Sequence, residues 1–134
     1  AYPDKIYVQT DATTAEMVKY VANTFLATKV AFANEIYDIC GATGVKYKEV
    51  VEFAKLDKRL GNSHWQVPGP DKKRGFGGSC FPKDINGFIA YAESIDIEPK
   101  ILKTVWKKNL QVRPERDWEE LVGRAISKKE KNNE

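Results

Sequence analysis

The pattern of apolar and polar positions predicts a mostly helical chain with one dominant helix. From Thr13 or Thr14, either of which can cap its start, to Cys40 there is no Gly or Pro. Gly41 and Gly44 are expected to end this helix. One side carries apolar residues at helical spacing, namely Val18, Val21, Ala22, Phe25, Phe32, Ile36 and Ile39. The opposite side is also largely apolar, with Tyr20, Leu26, Ala27, Ala31 and Ala33. Because such a helix is buried on several sides, we expect a second copy of the chain to cover part of it.

Shorter elements surround this helix in the predicted order. The pattern indicates a strand at 6–9 and helices at 46–55, at 82–93 with Pro82 in the first helical position, from Pro99 through Trp106, and from Pro114 through Ile126. Residues 127–134 predict a fraying polar tail. Residues 60–81, between the helices predicted at 46–55 and 82–93, are expected to form a loop. A loop of that length inside a compact domain is usually functional.

Composition and charge restrict the class of protein. The chain has 134 residues, 42% hydrophobic and 31% charged, as soluble globular domains do. A net charge of +3 without an aromatic-interleaved basic stripe argues against nucleic acid as a partner. The basic run at 72–74 indicates either a solvated loop or a contact to an anionic ligand. No uncharged apolar stretch of about 18 residues and no apolar leader occur, so no membrane association is expected.

The cysteine and histidine content narrows the chemistry. Two cysteines, Cys40 and Cys80, are too few for a disulfide scaffold, which favours a reducing, cytoplasmic setting. His64 is the single histidine, so a histidine-based metal site is not expected. Cys40 follows an apolar helix and is assigned to the core.

Cys80 is the leading candidate for chemistry. It lies between the glycine-rich segment 75–78 and Pro82, so its sulfur is expected beside the free N–H groups of a helix start. The glycines allow close approach of the backbone to a ligand, and the helix end favours a reactive thiolate. The alternatives are a small buried hydrophobe, or a Cys–His hydrolase pair with His64.

Four polar residues complete the candidate set. Asp84 follows Cys80 by one helical turn and could hold a water or relay a proton, or merely favour a helix start. Lys19 and Asn23, four apart in the long apolar helix, are either snorkelling surface groups or donors aimed at developing negative charge. Arg59 opens the long loop as a solvated side chain or as a fork to a phosphate or sugar. Lys29 and Glu35 are expected at the surface or an interface.

Several stretches together resemble the nucleotide-sugar 6-dehydrogenases, the UDP-glucose and GDP-mannose dehydrogenase family. Residues 14–29 and 32–35 resemble the central helix of that family, and Leu56-Asp57-Lys58-Arg59-Leu60-Gly61 resembles its Arg-Ile-Gly segment. The ten residues from Gly75 to Asp84 resemble its active-site loop. The resemblance covers about residues 13–109.

The family oxidises a sugar C6 alcohol to a carboxylate with two NAD+. The resemblance implies that Cys80 attacks the C6 aldehyde to form a thiohemiacetal, which is oxidised to a thioester and hydrolysed. It implies that Lys19 and Asn23 steady the oxyanion and that Asp84 orients the hydrolytic water and the lysine.

Binding roles also follow from the resemblance. Arg59 would reach the nucleotide sugar across a dimer interface formed by the long helix, residues 13–40. The backbone at Phe76 and Gly77 would pass close to the substrate, and Lys83 would lie toward the cofactor. UDP-glucose is the favoured substrate, with GDP-mannose as the alternative.

The resemblance also implies an architecture: a mainly α dimerisation domain like the C-terminal part of 6-phosphogluconate dehydrogenase. Residues 1–12 would be a strand or linker from a Rossmann domain, 13–110 the helical central domain, and 111–134 a terminal helix and tail. No Gly-x-Gly-x-x-Gly follows a strand here, so NAD would be bound mainly by a domain outside this chain, on a separate Rossmann chain for example. Alone, the chain is expected to be inactive, and a non-catalytic dimerisation scaffold is the rival hypothesis.

Overall fold

The computed structural model describes residues 9–121, and this part of the chain is mainly α. It contains α1 (Ala12–Thr43), α2 (Tyr47–Ala54), α3 (Cys80–Ser94) and α4 (Lys100–Val112), with short 3-10 turns at Lys58–Leu60 and Asp117–Glu120. No strand occurs between residues 9 and 121, so the predicted fold class is confirmed. Residues 6–8 of the strand predicted at 6–9, the part of the last predicted helix beyond 121, and the tail lie outside the described residues. Within 114–121 the helix predicted from Pro114 is wrong, because Pro114 and Glu115 form a turn and only Asp117–Glu120 is helical, as a 3-10 turn.

The long helix begins and ends differently from the prediction. Asp11, not Thr13 or Thr14, is the N-cap, because its Oδ1 accepts a 2.8 Å hydrogen bond from the Thr14 backbone N–H. Gly44 ends α1 in the left-handed region at φ 74°, whereas Gly41 lies inside the helix. With 32 residues, α1 is about 48 Å long.

α1 packs against α3 and α4 through its small residues. Ala27 and Ala31 meet Phe76, Ile85 and Val105 in the core. Small side chains let the other helices approach closely, and larger apolar groups close the core around them, namely Val30, Phe81, Ile89, Leu102 and Trp106. Cys40 is buried, as predicted.

The opposite face of α1 is exposed although it carries the larger apolar residues. Val18, Phe25, Phe32 and Ile39 repeat every seven residues and each is more than half exposed, as is Val21. Apart from a contact between Phe32 and Trp65, this face is left open by residues 9–121, and we call it the apolar face of α1.

The long loop is tied to α1 and α2 by polar contacts. Lys29 is only 9% exposed, and its ammonium donates to the Leu60 carbonyl at 2.9 Å beneath the Trp65 ring. The prediction that Lys29 lies at the surface or an interface is therefore wrong, because the loop folds back over it. The Tyr47 hydroxyl donates to the Trp65 carbonyl, and burial, followed by the nearby Cys40, raises the pKa of Tyr47 to about 12.

Arg74 fastens the basic run to α1. Its guanidinium donates to the Asn34 side chain at 3.0 Å and to the Asn34 carbonyl at 3.1 Å, and it pairs with Asp38 at 2.9 Å. It also lies over the Tyr37 ring. The basic run at 72–74 was expected to be either solvated or in contact with an anionic ligand. Arg74 is neither, because its charge is paired with groups of α1.

Candidate active site

Cys80 stands at the first turn of α3. The helix begins at Cys80 itself, so Pro82 is its third residue and not its first as predicted. A proline is tolerated there because the first-turn N–H groups have no intrahelical partner. The thiol is exposed, and the Ser79 hydroxyl lies 4.0 Å from its sulfur. The chain therefore presents an accessible thiol at a helix N-terminus.

One turn further along α3, three polar side chains from two helices converge. The Asn23 amide donates to Asp84 Oδ2 at 2.5 Å, and Lys19 Nζ lies 3.8 Å from Asp84 Oδ1. We call these three residues the lysine cluster. Asp84 has a 3% exposed side chain, whereas that of Lys19 is 50% exposed. The structure thus brings together three of the four predicted catalytic residues, with Cys80 about 6 Å away along the axis of α3.

Lys19 is half exposed. The sequence left open whether its ammonium reaches the surface or is directed at developing negative charge, and its neighbours Val18 and Val21 are themselves exposed. Its long, loosely paired contact with Asp84 leaves donor capacity that faces solvent in this chain.

The glycines before Cys80 make room for the protein's own side chains. A Cβ at Gly75, which adopts φ 68°, would collide with Asn109 Oδ1, and one at Gly77 would collide with the Arg113 guanidinium. Asn109, which is buried, accepts from the Phe76 N–H at 2.7 Å and donates to the Phe76 carbonyl at 2.9 Å. The close approach expected for these two glycines therefore occurs, with protein side chains in the place foreseen for a ligand.

Arg113 secures the same segment from the end of α4. It is 2% exposed, pairs with Asp71 at 2.6 Å and Asp117 at 2.7 Å, and donates to the carbonyls of Arg74 and Gly75. Asp71, Arg113 and Asp117 are called the arginine cluster below. All its charges are paired at short distance.

The electrostatics of the arginine cluster favour its charged forms. Burial, the largest single influence, raises the pKa of Asp71 and Asp117. The hydrogen bonds and charge of Arg113, together with a backbone N–H bond from Lys73 to Asp71 and from Gly78 to Asp117, outweigh burial, so both pKa values are lowered. Conversely, burial works against the Arg113 charge, and its two carboxylate partners raise its pKa overall. Asp117 also accepts a 2.9 Å hydrogen bond from the Gly78 N–H.

The predicted binding residues have mixed surroundings. Arg59 is 89% exposed and pairs with Asp57 at 2.6 Å, and Lys83 is exposed on α3. The backbone N–H and C=O of Phe76 both bond to Asn109. The substrate or cofactor roles of Arg59, Phe76, Gly77 and Lys83 stay predictions.

His64 packs near the site without joining Cys80. Its ring lies 5.7 Å from that of Phe81, and burial, followed by the charge of Lys29, lowers its pKa. Among residues 9–121 no hydrogen bond connects it to Cys80, and its Nδ1 is buried with no partner in that range. The geometry therefore does not support the Cys–His hydrolase alternative.

Two cavities flank the loop. One of about 430 Å³ lies beside the cysteine segment, and its lining includes Ser63, His64, Gln66, Gly77 and Phe81. A larger one, about 610 Å³, lies against α2, and Tyr47, Trp65 and Gln66 are among its lining residues. The smaller cavity is the nearer to the chemistry, because Gly77 and Phe81 bracket Cys80 in the chain.

Sequence reasoning missed Asn109 and Arg113. A signal for Asn109 existed: it continues the stripe of Leu102, Val105 and Trp106 at helical spacing, and a polar residue in an apolar stripe indicates an internal hydrogen-bond network. Arg113 and Asp117 are four apart, but this spacing alone suggests only a surface pair.

Two further properties concern the described part of the chain. No helix within it is both long enough and apolar enough to cross a bilayer. Nor do three His, Cys, Asp or Glu side chains gather anywhere in residues 9–121 as a metal site would require.

Comparison with known proteins finds nucleotide-sugar dehydrogenases among the relatives of this chain. A UDP-glucose 6-dehydrogenase of Rickettsia prowazekii is 44% identical over 108 residues, which is 81% of this chain and 24% of that protein. One from Bacillus subtilis is 42% identical over 101 residues, 75% of this chain and 22% of that protein. A GDP-mannose 6-dehydrogenase of Pseudomonas savastanoi is 40% identical over 107 residues, 79% of this chain and 24% of that protein.

The chain therefore spans about a quarter of the length of the curated relatives that it matches. Residues 13–111 match the central domain of the UDP-glucose/GDP-mannose dehydrogenase family. This match covers most of the chain and includes Cys80, the lysine cluster and the glycines that seat the cysteine segment. The chain belongs to the UDP-glucose/GDP-mannose dehydrogenase family.

Proposed function

We propose that this chain is the central domain of a UDP-glucose 6-dehydrogenase that oxidises the sugar C6 alcohol to a carboxylate. The observation that carries the proposal is the position of Cys80, an exposed thiol one helical turn from the lysine cluster. A thiol alone is common, but a thiol one turn along the same helix from a buried carboxylate that holds an ammonium with donor capacity suits covalent oxidation of an aldehyde.

Each residue of the site has a proposed role. The Cys80 sulfur adds to the aldehyde carbon, and Lys19 and Asn23 donate to the oxyanion that forms on the aldehyde oxygen. Loss of a hydride converts the thiohemiacetal to a thioester, and water then releases the carboxylate and the thiol. Asp84 holds Asn23 and Lys19 in place and orients the attacking water.

NAD supplies the hydride acceptor for both oxidations. This chain carries no Gly-x-Gly-x-x-Gly after a strand, so we assign the main dinucleotide site to another domain. Lys83, exposed beside Cys80, is the residue placed to face a cofactor bound by another domain.

We further propose that two copies associate through the apolar face of α1. Four large apolar residues in heptad spacing, each more than half exposed, are typical of a helix that packs against another helix. Phe32 on this face contacts Trp65 of the long loop. Association would therefore bring the loop that contains Arg59 close to the partner copy.

The activity can be tested in a chimaera in which residues 13–111 replace the matching part of the Bacillus subtilis relative. We expect NADH formation with UDP-glucose, and its loss in Cys80→Ser. Turnover with GDP-mannose only would favour that alternative, which the Pseudomonas savastanoi relative motivates. A folded chimaera that turns over neither sugar would favour the scaffold hypothesis.

Self-association can be tested on the chain as it is. Phe25→Glu is expected to convert a dimer into a folded monomer in sedimentation velocity at micromolar concentration. Ile101→Glu is the control, because Ile101 is also exposed but lies on α4. A wild-type chain that sediments as a stable monomer would contradict the proposed dimer.

A further inference from the structure

The segment that leads into Cys80 is held by side chains rather than by a helix or strand. Between Gly75 and Gly78 the backbone contacts come from the end of α4 and the turn after it. Asn109 bonds to both backbone polar groups of Phe76, and Asp117 accepts from the Gly78 N–H. Arg113 in turn fixes Asp117.

The segment 75–78 packs closely against Asn109 and Arg113. Asn109 and Arg113 are 1% and 2% exposed, so neither is free to serve solvent or a surface ligand. The missing Cβ of Gly75 leaves space for Asn109, and the missing Cβ of Gly77 leaves space for Arg113. Two separate glycines thus match two separate buried side chains.

We propose that Asn109 and Arg113 are positioning residues that present Cys80 at the start of α3. Gly78, whose N–H is bonded to Asp117, precedes Cys80 by only two residues. Without these bonds the first turn of α3 loses its fixed approach, and the sulfur loses its place beside the free N–H groups. The inference rests on the proposed function only in giving Cys80 a role in catalysis.

The consequence can be measured without turnover. Cys80 is already exposed, so loosening the segment adds little access but lets the sulfur move away from the first-turn N–H groups of α3, which attract negative charge. Loss of a helix-terminal charge interaction corresponds to a fall of about threefold in the rate of alkylation by iodoacetamide. Buried Cys40 in the same molecule reports general opening of the fold.

The experiment uses the full chain with Asn109→Leu and, independently, Gly77→Ala. Labelling rates of both cysteines are followed by peptide mass spectrometry, together with hydrogen exchange at the Phe76 and Gly78 amides. Gly41→Ala is the matched control, because a Cβ there meets nothing within 4 Å. We expect faster amide exchange and about threefold slower labelling of Cys80 in both variants, with Cys40 unchanged.

Two results would overturn the proposal. One is unchanged Cys80 labelling although the Phe76 amide exchanges faster. The other is a parallel change at both cysteines in Gly77→Ala as well as Asn109→Leu, which would mean that the contacts serve overall stability alone. Since neither readout needs NAD or a sugar, failure here is distinct from failure of the proposed function.

Discussion

The lysine cluster and the arginine cluster contain the same kinds of charge but differ in how completely they are paired. In the arginine cluster the cation is 2% exposed and contacts two carboxylates at 2.6 and 2.7 Å. In the lysine cluster the cation is half exposed and lies 3.8 Å from its one carboxylate. The first cluster is saturated, and the second retains donor capacity.

This difference separates a structural role from a chemical one. A buried cation must be paired, because an uncompensated charge in the interior is costly, and such a pairing leaves nothing for a ligand. A loosely held ammonium costs little and can turn toward charge that develops during a reaction. Spare hydrogen-bonding capacity, more than charge or burial, marks the site where chemistry is expected.

The largest effect on stability is expected when the arginine cluster loses its cation. Arg113→Met should lower the free energy of unfolding by about 2 kcal/mol, because it removes charge-assisted hydrogen bonds to Asp71 and Asp117, both of which keep partial access to water. Urea unfolding at fixed protein concentration measures this. Arg59→Met is the control: its side chain is 89% exposed, so its loss should change stability by less than about 0.5 kcal/mol. Equal losses of unfolding free energy in Arg113→Met and Arg59→Met would contradict the structural role given to the arginine cluster.

A smaller effect is expected from acid. Burial opposes the charges of Asp71 and Asp117, yet their bonds to Arg113 and to backbone N–H groups together leave both pKa values below the ordinary 3.8. A lowered folded-state pKa stabilises the fold above pH 3.8, and this contribution is lost as the pH falls from there through the folded-state pKa. In the wild type, the urea concentration at the unfolding midpoint, measured from pH 7 to pH 3, should therefore decrease once the pH is below about 4.

The same titration in Arg113→Met isolates the cluster. With the arginine gone, only the backbone N–H bonds from Lys73 to Asp71 and from Gly78 to Asp117 still lower the two pKa values, so the decline below pH 4 should be shallower. Parallel curves for the two proteins would mean that other carboxylates dominate the acid response.

The smallest effect on stability is expected at the lysine cluster. Lys19→Met should change the free energy of unfolding by no more than about 0.5 kcal/mol, since the pair is long and half exposed. In the chimaera the same substitution should lower kcat about 100-fold through loss of an oxyanion donor. Lys107→Met, on the exposed side of α4, should change neither quantity. Marked destabilisation by Lys19→Met with kcat intact would reverse the roles assigned to the two clusters.

The lysine cluster was largely predictable, and the arginine cluster was not. Lys19 and Asn23 are one turn apart on a helix that the apolar pattern makes plain, and Asp84 is one turn from Cys80 on another. Local spacing therefore gave each half of the site. Arg113 and Asp71 are 42 residues apart, and no local pattern relates them.

The sequence by itself determined α1 to α4, most of the long loop and the place of Cys80 at a helix start, because these depend on periodicity, on glycines and proline, and on contacts within one turn. The further helix that it predicted from Pro114 does not form within 114–121. Only the tertiary structure decided which face of α1 is inside. The smaller Ala27 and Ala31 are buried while Phe25 and Phe32 remain exposed. Hydrophobicity favours burying either face, but close packing of α3 and α4 requires the face with small side chains. Tertiary packing also decided that Gly75 and Gly77 receive Asn109 and Arg113, since a space left by a missing Cβ acquires a meaning only when a distant side chain occupies it.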